Sequence, residues 1–436
     1  MQRIKIKNFG PIRQVEFNVN DYTVFIGEQA SGKSTIARFV YFFLSLKDEI
    51  KSIIYNNDGS AVSPLIERWK ECLIVKFNQY WDRTFWQDDT QIKFFLDGAE
   101  IIDDSKFIEF SFRNGFPDVL FSASLTSAFN QYADTITSKS EKSVVPNSAV
   151  ARFVLELIEL SGLNDVLSDS PVNYEYIPAG RTIFSVLRNE LNPDISFNDI
   201  LLSDFILTTN YIRRELTKQT VEEHFQNARQ IRDSESPKNL IVAEEIYKYA
   251  NRVLHGKYRY ENNTDFICTD SGKNFPLLSS SSGQREAIWI LYNILFYVIR
   301  GGNSDSNSLF AVIEEPESHL FPESQRNIMF ALTLFANHIK NRLMLTTHSP
   351  YILTPLSNLL YAFTLGQDKT KRNSVAKIID PNLWIDPRRF ECYYVDNGTI
   401  ESVMDRKTNI INLDKLDMTS VAGNEDFDKL LDIENW

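Results

Sequence analysis

The sequence predicts an α/β protein with a mostly parallel sheet, an antiparallel β lobe at its N-terminus and a helical insertion. Three observations predict it. A β-prone apolar run, Tyr22–Ile26, feeds a glycine-bearing loop and then the apolar helix opening Ile36–Leu44. Two short runs in the second half, Leu309–Ile313 and Arg342–Thr347, read as buried parallel strands. Helical stretches alternate with these strands, which implies a parallel sheet covered by helices on both faces.

Length and composition bound the rest. The 436 residues suit two or three domains, or one large domain with an insertion, and 43% hydrophobic content supplies an ordinary core. A net charge of -12 argues against a protein that coats nucleic acid indiscriminately, while leaving room for a local basic patch. Cys72, Cys268 and Cys392 form no C-x-x-C pair, so neither a zinc site nor a disulfide framework is expected. That usage fits a reducing cytosol, and no apolar run reaches the ~18 residues a membrane helix needs. The expected place is the cytoplasm, with no membrane partner.

In chain order, Met1–Phe9 alternates as a short edge strand and Gly10-Pro11 turns it. Val15 and Phe17 alternate again before the strand that feeds the loop. Ser60–Trp81 reads as a helix. Gln91–Leu96 and Lys106–Phe112 read as strands, followed by the Asp97-Gly98 and Asn114-Gly115 turns. Ser138–Asn147 is a polar loop and Ala149–Gly162 a helix. Tyr174–Ile177 is a strand ending in Pro178-Ala179-Gly180-Arg181. Asp199–Leu254 is helical, broken at Ser234–Pro237, and makes about two helical arms. Tyr258–Tyr260 and Phe266–Cys268 form a hairpin. A helix follows over Ala287–Ile299 and ends at Gly301-Gly302, and another spans Ser324–Ile339. Trp384–Asp405 is a final β-rich segment and Glu425–Trp436 an acidic helix. The expected divisions are 1–190, an N-terminal lobe; 191–256, the helical insertion; 257–383, a C-terminal lobe; and 384–436, the terminal segment.

The chemistry sits where strands end. Gly27-Glu28-Gln29-Ala30-Ser31-Gly32-Lys33-Ser34-Thr35 matches G-x-x-x-x-G-K-S, and its strand–loop–helix context makes it a phosphate-binding loop. Loop N–H groups and the helix N-terminus face phosphate oxygens. Lys33 reaches the β- and γ-phosphates, and the Ser34 hydroxyl sits on Mg²⁺. A lone Glu-Glu is ordinarily a solvated acidic turn, but Glu314-Glu315 follows a buried strand in a chain that has a phosphate loop. Adjacent strand residues face opposite ways. Glu314 then holds Mg²⁺ and Glu315 orients and deprotonates the attacking water, the division phosphoryl transfer requires. His348 ends the next strand. A histidine there is usually structural; in this position it can hydrogen-bond a γ-phosphate. Ser279–Glu286 opens a helix with serines and a glycine, either an anion site or a simple N-cap.

The order of these motifs resembles the head of ABC-type ATPases, in the SMC-like and OLD-like branch. Ser280-Ser281-Ser282-Gly283-Gln284 resembles its signature, Leu309–Glu315 its Walker B strand, and Thr346–Pro350 the segment of its switch histidine. Ile313–Pro322 and Lys7–Ile12 look like the OLD-like forms. The resemblance spans residues 1–60 and 172–436. It implies ATP and Mg²⁺ as cofactors, and ATP hydrolysis in sites shared between two heads. Ser281, Gly283 and Gln284 would then act on the nucleotide held by another copy, in a homodimer or larger homo-oligomer. The sequence departs from the family at Glu314, where Asp is usual, and at Phe321, near the place of the D-loop Asp. The place of the Q-loop glutamine falls at Ile177–Arg181, which makes Arg181 a candidate sensor of the nucleotide. The insertion is short for a long coiled-coil arm.

OLD-like nucleases carry a Toprim nuclease after the ATPase, whereas about 88 residues follow His348 here. The reading is a stand-alone ATPase whose effector, a nuclease or toxin, is a separate protein. It resembles the sensor ATPases of prokaryotic antiviral systems of the PARIS and Septu types, with a phage-encoded trigger. The alternative is a DNA-repair or DNA-processing ATPase that binds DNA directly.

Overall fold

The computed structural model of the chain describes residues 2–55, 64–96, 105–131, 173–182, 199–230, 236–300 and 308–412. The Asp97-Gly98 turn, the 138–147 loop, the 149–162 helix, the Gly301-Gly302 stop and the 425–436 helix lie outside these residues.

Strand β1 (Arg3–Phe9) buries Ile4, Ile6 and Phe9 completely, the alternation of a strand with one covered face. The Gly10-Pro11 turn folds it onto β2 (Ile12–Asn18), with Phe9 opposite Ile12. The chain then leaves for a second sheet through β3 (Tyr22–Gly27) and runs on into helices α1 (Lys33–Leu44), α2 (Leu46–Tyr55) and α3 (Leu65–Tyr80). It returns as β4 (Trp86–Phe95), β5 (Phe107–Arg113) and β6 (Phe116–Phe121) to complete an antiparallel sheet of order β2-β1-β4-β5-β6. Two expectations need correction. β1 is interior, because β4 pairs with its free side; that pairing is long-range and has no local signal. β6 was not foreseen: its outward side chains Phe116 and Leu120 are exposed and only Val119 is buried, so its polarity does not alternate.

The central sheet has the order β14-β13-β3-β12-β11-β7. Here β7 is Asn173–Ile177, β11 Leu309–Glu314, β12 Arg342–Thr347, β13 Phe390–Asp396 and β14 Thr399–Ser402. Every pairing is parallel except that of β14. The mostly parallel α/β sheet with an antiparallel N-terminal lobe is as expected. That β13 joins β3 was not: Trp384–Asp405 reads locally as a β segment, but nothing local names its partner.

Alternate strand residues divide the core. Phe25, Tyr176, Phe310, Val312, Met344 and Val395 face α1 and the antiparallel lobe. Phe39 of α1 stacks on Trp81 at 4.2 Å and Phe43 on Phe94 at 4.4 Å between ring centres. Each such pair contributes about 0.5–1.5 kcal/mol beyond the area it buries. Val24, Ile26, Ile177, Ala311, Ile313, Leu343 and Leu345 face the opposite layer. Among the described residues 200–230 and 236–254 there are three helices, where about two helical arms were expected: α4 (Ile200–Lys218), α5 (Val221–Gln230) and α6 (Ser236–Leu254). The first break, at Gln219-Thr220, lacks Gly or Pro, and Glu223 caps the Thr220 N–H instead. Their buried faces join the layer formed by α7 (Ser282–Arg300), α8 (Pro322–Asn337) and α9 (Pro350–Gly366). Between them lies a hairpin of β8 (Lys257–Glu261) and β9 (Thr264–Cys268), extended by β10 (Asn274–Pro276).

Candidate functional site

The C-terminal ends of β3, β11 and β12 lie side by side in the parallel sheet, so the loops that follow them meet. At the end of β3, a Cβ on Gly27 would stand 2.2 Å from the Val395 carbonyl oxygen of β13. Only glycine fits that approach. Gly32 caps α1 at φ 107° and no side chain bonds to the helix start, which leaves its first N–H groups to the loop. Glu28, Gln29, Ala30 and Ser34 are exposed, and Ser31 and Thr35 are half-buried.

Lys33 is 4% exposed. Its Nζ donates to the carbonyls of Gly27 (2.9 Å) and Glu28 (2.6 Å) and to Ser31 Oγ (3.2 Å), and lies 3.3 Å from His348 Nδ1. Burial pulls its pKa from 10.5 down to about 8, against the opposing charges of Glu315, Glu317 and Glu28. On the other edge of the ring, His348 Nε2 is 3.2 Å from Glu315 Oε1. A charged Lys33 has no acceptor, so Nδ1 accepts, Nε2 carries the proton and Glu315 receives it. Lys33, His348 and Glu315 therefore form one hydrogen-bonded chain across the three strand ends.

Glu315 has φ 43°, a left-handed backbone that costs a non-glycine residue roughly 1–2 kcal/mol. The surroundings impose it: its N–H donates to the Thr346 carbonyl (2.8 Å) and its own carbonyl accepts from Arg181 Nη2 (2.9 Å). Ser318 Oγ donates to Oε2 of its carboxylate (3.1 Å). Glu314 is 5% exposed. Its Oε2 accepts the Ala179 N–H at 3.0 Å, and Oε1 is buried with no partner at full hydrogen-bond distance, although the Tyr176 hydroxyl and the Arg38 charge act on the same carboxylate. An acceptor left in that state is costly unless something electropositive meets it. Among the described residues no group of three or more His, Cys, Asp or Glu could hold a metal by itself. A single carboxylate with a serine hydroxyl suits Mg²⁺, which takes its remaining ligands from phosphate and water. Glu314 and Ser34 fit that ion.

Two residues escaped the sequence reading. Glu317 is 8% exposed, and its Oε1 accepts both the Thr347 hydroxyl (2.7 Å) and the His348 N–H (2.8 Å). Burial pushes its carboxyl up and these bonds oppose the shift. It holds the backbone that presents His348. Its signal was the third carboxylate of Glu-Glu-Pro-Glu. The second is Glu286 in α7, legible only as a charge inside an apolar helix. Arg181 does not stand among the phosphate-loop groups as a sensor would. It is fully buried, and its guanidinium donates to the carbonyls of Pro178, Glu314 (2.7 Å) and Glu315, and pairs with Glu286 at 3.2 Å.

The signature-like residues form their own group. Ser281 is exposed at the head of α7 and exchanges bonds with Gln284, whose Nε2 donates to the Leu254 carbonyl at 2.6 Å. Gly283 is buried, and a Cβ there would meet the His319 carbonyl at 2.6 Å. The phosphate loop, Glu314, Glu315 and His348 are thus brought together, while Ser281 and Gln284 bond to each other and to Leu254. Phe321 is 76% exposed.

Among the described residues no helix is long and apolar enough to cross a membrane. No curated protein sequence matches the chain. Solved structures similar to it include the SMC head domain from Thermotoga maritima, at 12% identity, TM-score 0.34, 92% of this chain and 97% of that one. Others are the Smc head domain bound to the C-terminal domain of ScpA from Pyrococcus furiosus (11%, TM-score 0.39, 92% and 96%) and the recombination mediator protein RecF-ATPrS (9%, TM-score 0.35, 92% and 97%). The sequence model of one family matches residues 1–160 and 181–353, so the protein belongs to the AAA ATPase domain family.

Proposed function

We propose that the chain binds ATP in the Gly27–Thr35 loop and hydrolyses it with Glu315, in a site completed by Ser281 of a second copy. The observation that carries this reading is the Lys33–His348–Glu315 chain, which joins a phosphate-binding cation to a general base through one imidazole. Lys33 leaves the loop carbonyls for the phosphates, where its charge stabilises the transferring group. Glu315 takes a proton from water as the water oxygen bonds to the γ-phosphorus and the bond to ADP breaks. His348 holds that carboxylate through Nε2–H and follows Lys33 through Nδ1. Ser34 and Glu314 would hold Mg²⁺, which neutralises charge on the phosphate oxygens. The exposed Ser281 hydroxyl suits a role on a neighbouring copy's nucleotide.

In its finer form, ATP-driven closure of two copies gates a separate effector, a nuclease or toxin, in antiviral defence. The likeness of Ile313–Pro322 and Lys7–Ile12 to OLD-like heads supports that form. The test is hydrolysis with and without DNA, alongside a Glu315→Gln variant. The reading expects little effect of DNA and a variant that binds ATP without turning it over. Strong stimulation by DNA would point to direct action on DNA, and wild-type turnover by the variant would remove Glu315 from catalysis.

A further inference from the structure

The carbonyls of Glu314 and Glu315 are both held by one side chain. Arg181 is 0% exposed, and its Nη1 and Nη2 donate to them at 2.7 and 2.9 Å. The same side chain is tied to the signature-bearing helix. Glu286, in the second turn of α7 and 3% exposed, accepts the Arg181 N–H (3.0 Å) and pairs with its Nε (3.2 Å). It also accepts the N–H and hydroxyl of Thr182 at 3.1 and 3.0 Å. A second tie runs beside it, where Gly283 lies against the His319 carbonyl of the loop that follows β11.

A buried guanidinium bound to carbonyls is expensive unless a carboxylate balances it. Replacing the pair by apolar residues of similar size would fill the core equally well. The ion pair does what apolar packing cannot: its fixed fork of donors sets where two backbone carbonyls stand. One of those carbonyls belongs to Glu315, whose left-handed backbone aims its carboxylate at His348. A shift of α7 therefore reaches Glu315 through Glu286 and Arg181.

We propose that Arg181 and Glu286 are positioning residues for hydrolysis, coupling the seating of the signature helix to the orientation of Glu315 within one chain. The proposal rests on the ATPase reading above and goes beyond it by naming how engagement of Ser281 is felt at the general base. Both residues are buried and bond to backbone and to each other rather than to the Gly27–Thr35 loop, so their loss is expected to affect turnover and spare binding.

The experiment compares wild type, Glu286→Gln and the double variant Arg181→Met/Glu286→Leu for melting temperature, ATP affinity, turnover and the pH profile of turnover. Glu315→Gln serves as the control on the reading beneath. The double variant is expected to melt below wild type, because the Pro178, Glu314 and Glu315 carbonyls and the Arg181 and Thr182 N–H groups lose their partners, yet to hold ATP within about threefold while turnover falls about 10- to 100-fold. Glu286→Gln, which keeps the shape, is expected to lower turnover in the same direction and to displace the pH profile. Wild-type turnover in the double variant overturns the proposal, as does a loss of turnover matched by an equal loss of ATP affinity. If the double variant does not fold, Glu286→Gln decides by the same two criteria. If Glu315→Gln turns over ATP like wild type, the ATPase assignment fails first and this proposal falls with it.

Discussion

At the residue scale the account rests on Lys33. Its buried ammonium loses its proton near pH 8 because burial disfavours the charge. Bound phosphates would raise that pKa again. ATP affinity should therefore be complete below about pH 8 and fall as the pH rises through it, by at most about tenfold per unit. Titrating the dissociation constant between pH 7 and 9.5 checks this, and a flat profile would show that Lys33 keeps its proton throughout. For the fold the sign is opposite. The unfolded chain holds this proton up to about 10.5, so between about 8 and 10.5 unfolding takes up a proton, and this group's contribution to stability rises with pH. Lys33→Ala should abolish nucleotide binding in an equilibrium measurement. Glu317→Ala should free the His348 N–H and Thr347 hydroxyl and lower turnover about tenfold with ATP binding retained. A parallel loss of binding would place Glu317 in the phosphate site itself. The Gly27–Thr35 loop, Glu314, Glu315 and His348 could be singled out because local sequence carries them, and the strand ends bring them together. Glu317 was visible but not readable: nothing in Glu-Glu-Pro-Glu says that its third carboxylate turns towards the neighbouring strand.

At the element scale the fit between β3 and β13 governs the loop. Gly27→Ala would drive a methyl group into the Val395 carbonyl, against backbone that cannot rotate away. Overpacking of this kind costs about 1–3 kcal/mol. A lowered melting temperature together with weakened ATP binding is expected, measured by thermal unfolding with and without nucleotide. An unchanged affinity would mean that the loop does not depend on β13. Buried apolar runs gave away β3, β11 and β12. They did not give away the place of β13 beside β3: Glu391 and the half-buried neighbours Tyr393 and Tyr394 break its apolar run, so it reads as a β segment but not as a central strand. The break between α4 and α5 was missed for a related reason: Gln219-Thr220 ends one helix and caps the next with polar side chains. No glycine or proline marks it.

At the scale of the whole molecule, the two halves of the chemistry sit on different parts of the chain. The Gly27–Thr35 loop and the Glu314-Glu315 pair share one set of strand ends. Ser281 stands at the exposed head of α7, tied back to that set through Glu286 and Arg181. Parallel-sheet class and the order of motifs were readable because they depend on local patterns repeated along the chain. The sheet order, the interior place of β1 and the buried Arg181–Glu286 pair depend on contacts between residues far apart in the chain, 105 positions for Arg181 and Glu286 and 368 for Tyr22 and Phe390, and no pattern in one sequence carries those.

The most direct measurement is the mass in solution of Glu315→Gln with and without ATP and Mg²⁺. The account predicts a stable, ATP-dependent dimer or larger assembly that Ser281→Arg prevents while ATP still binds. A Glu315→Gln protein that binds ATP and stays monomeric would contradict it.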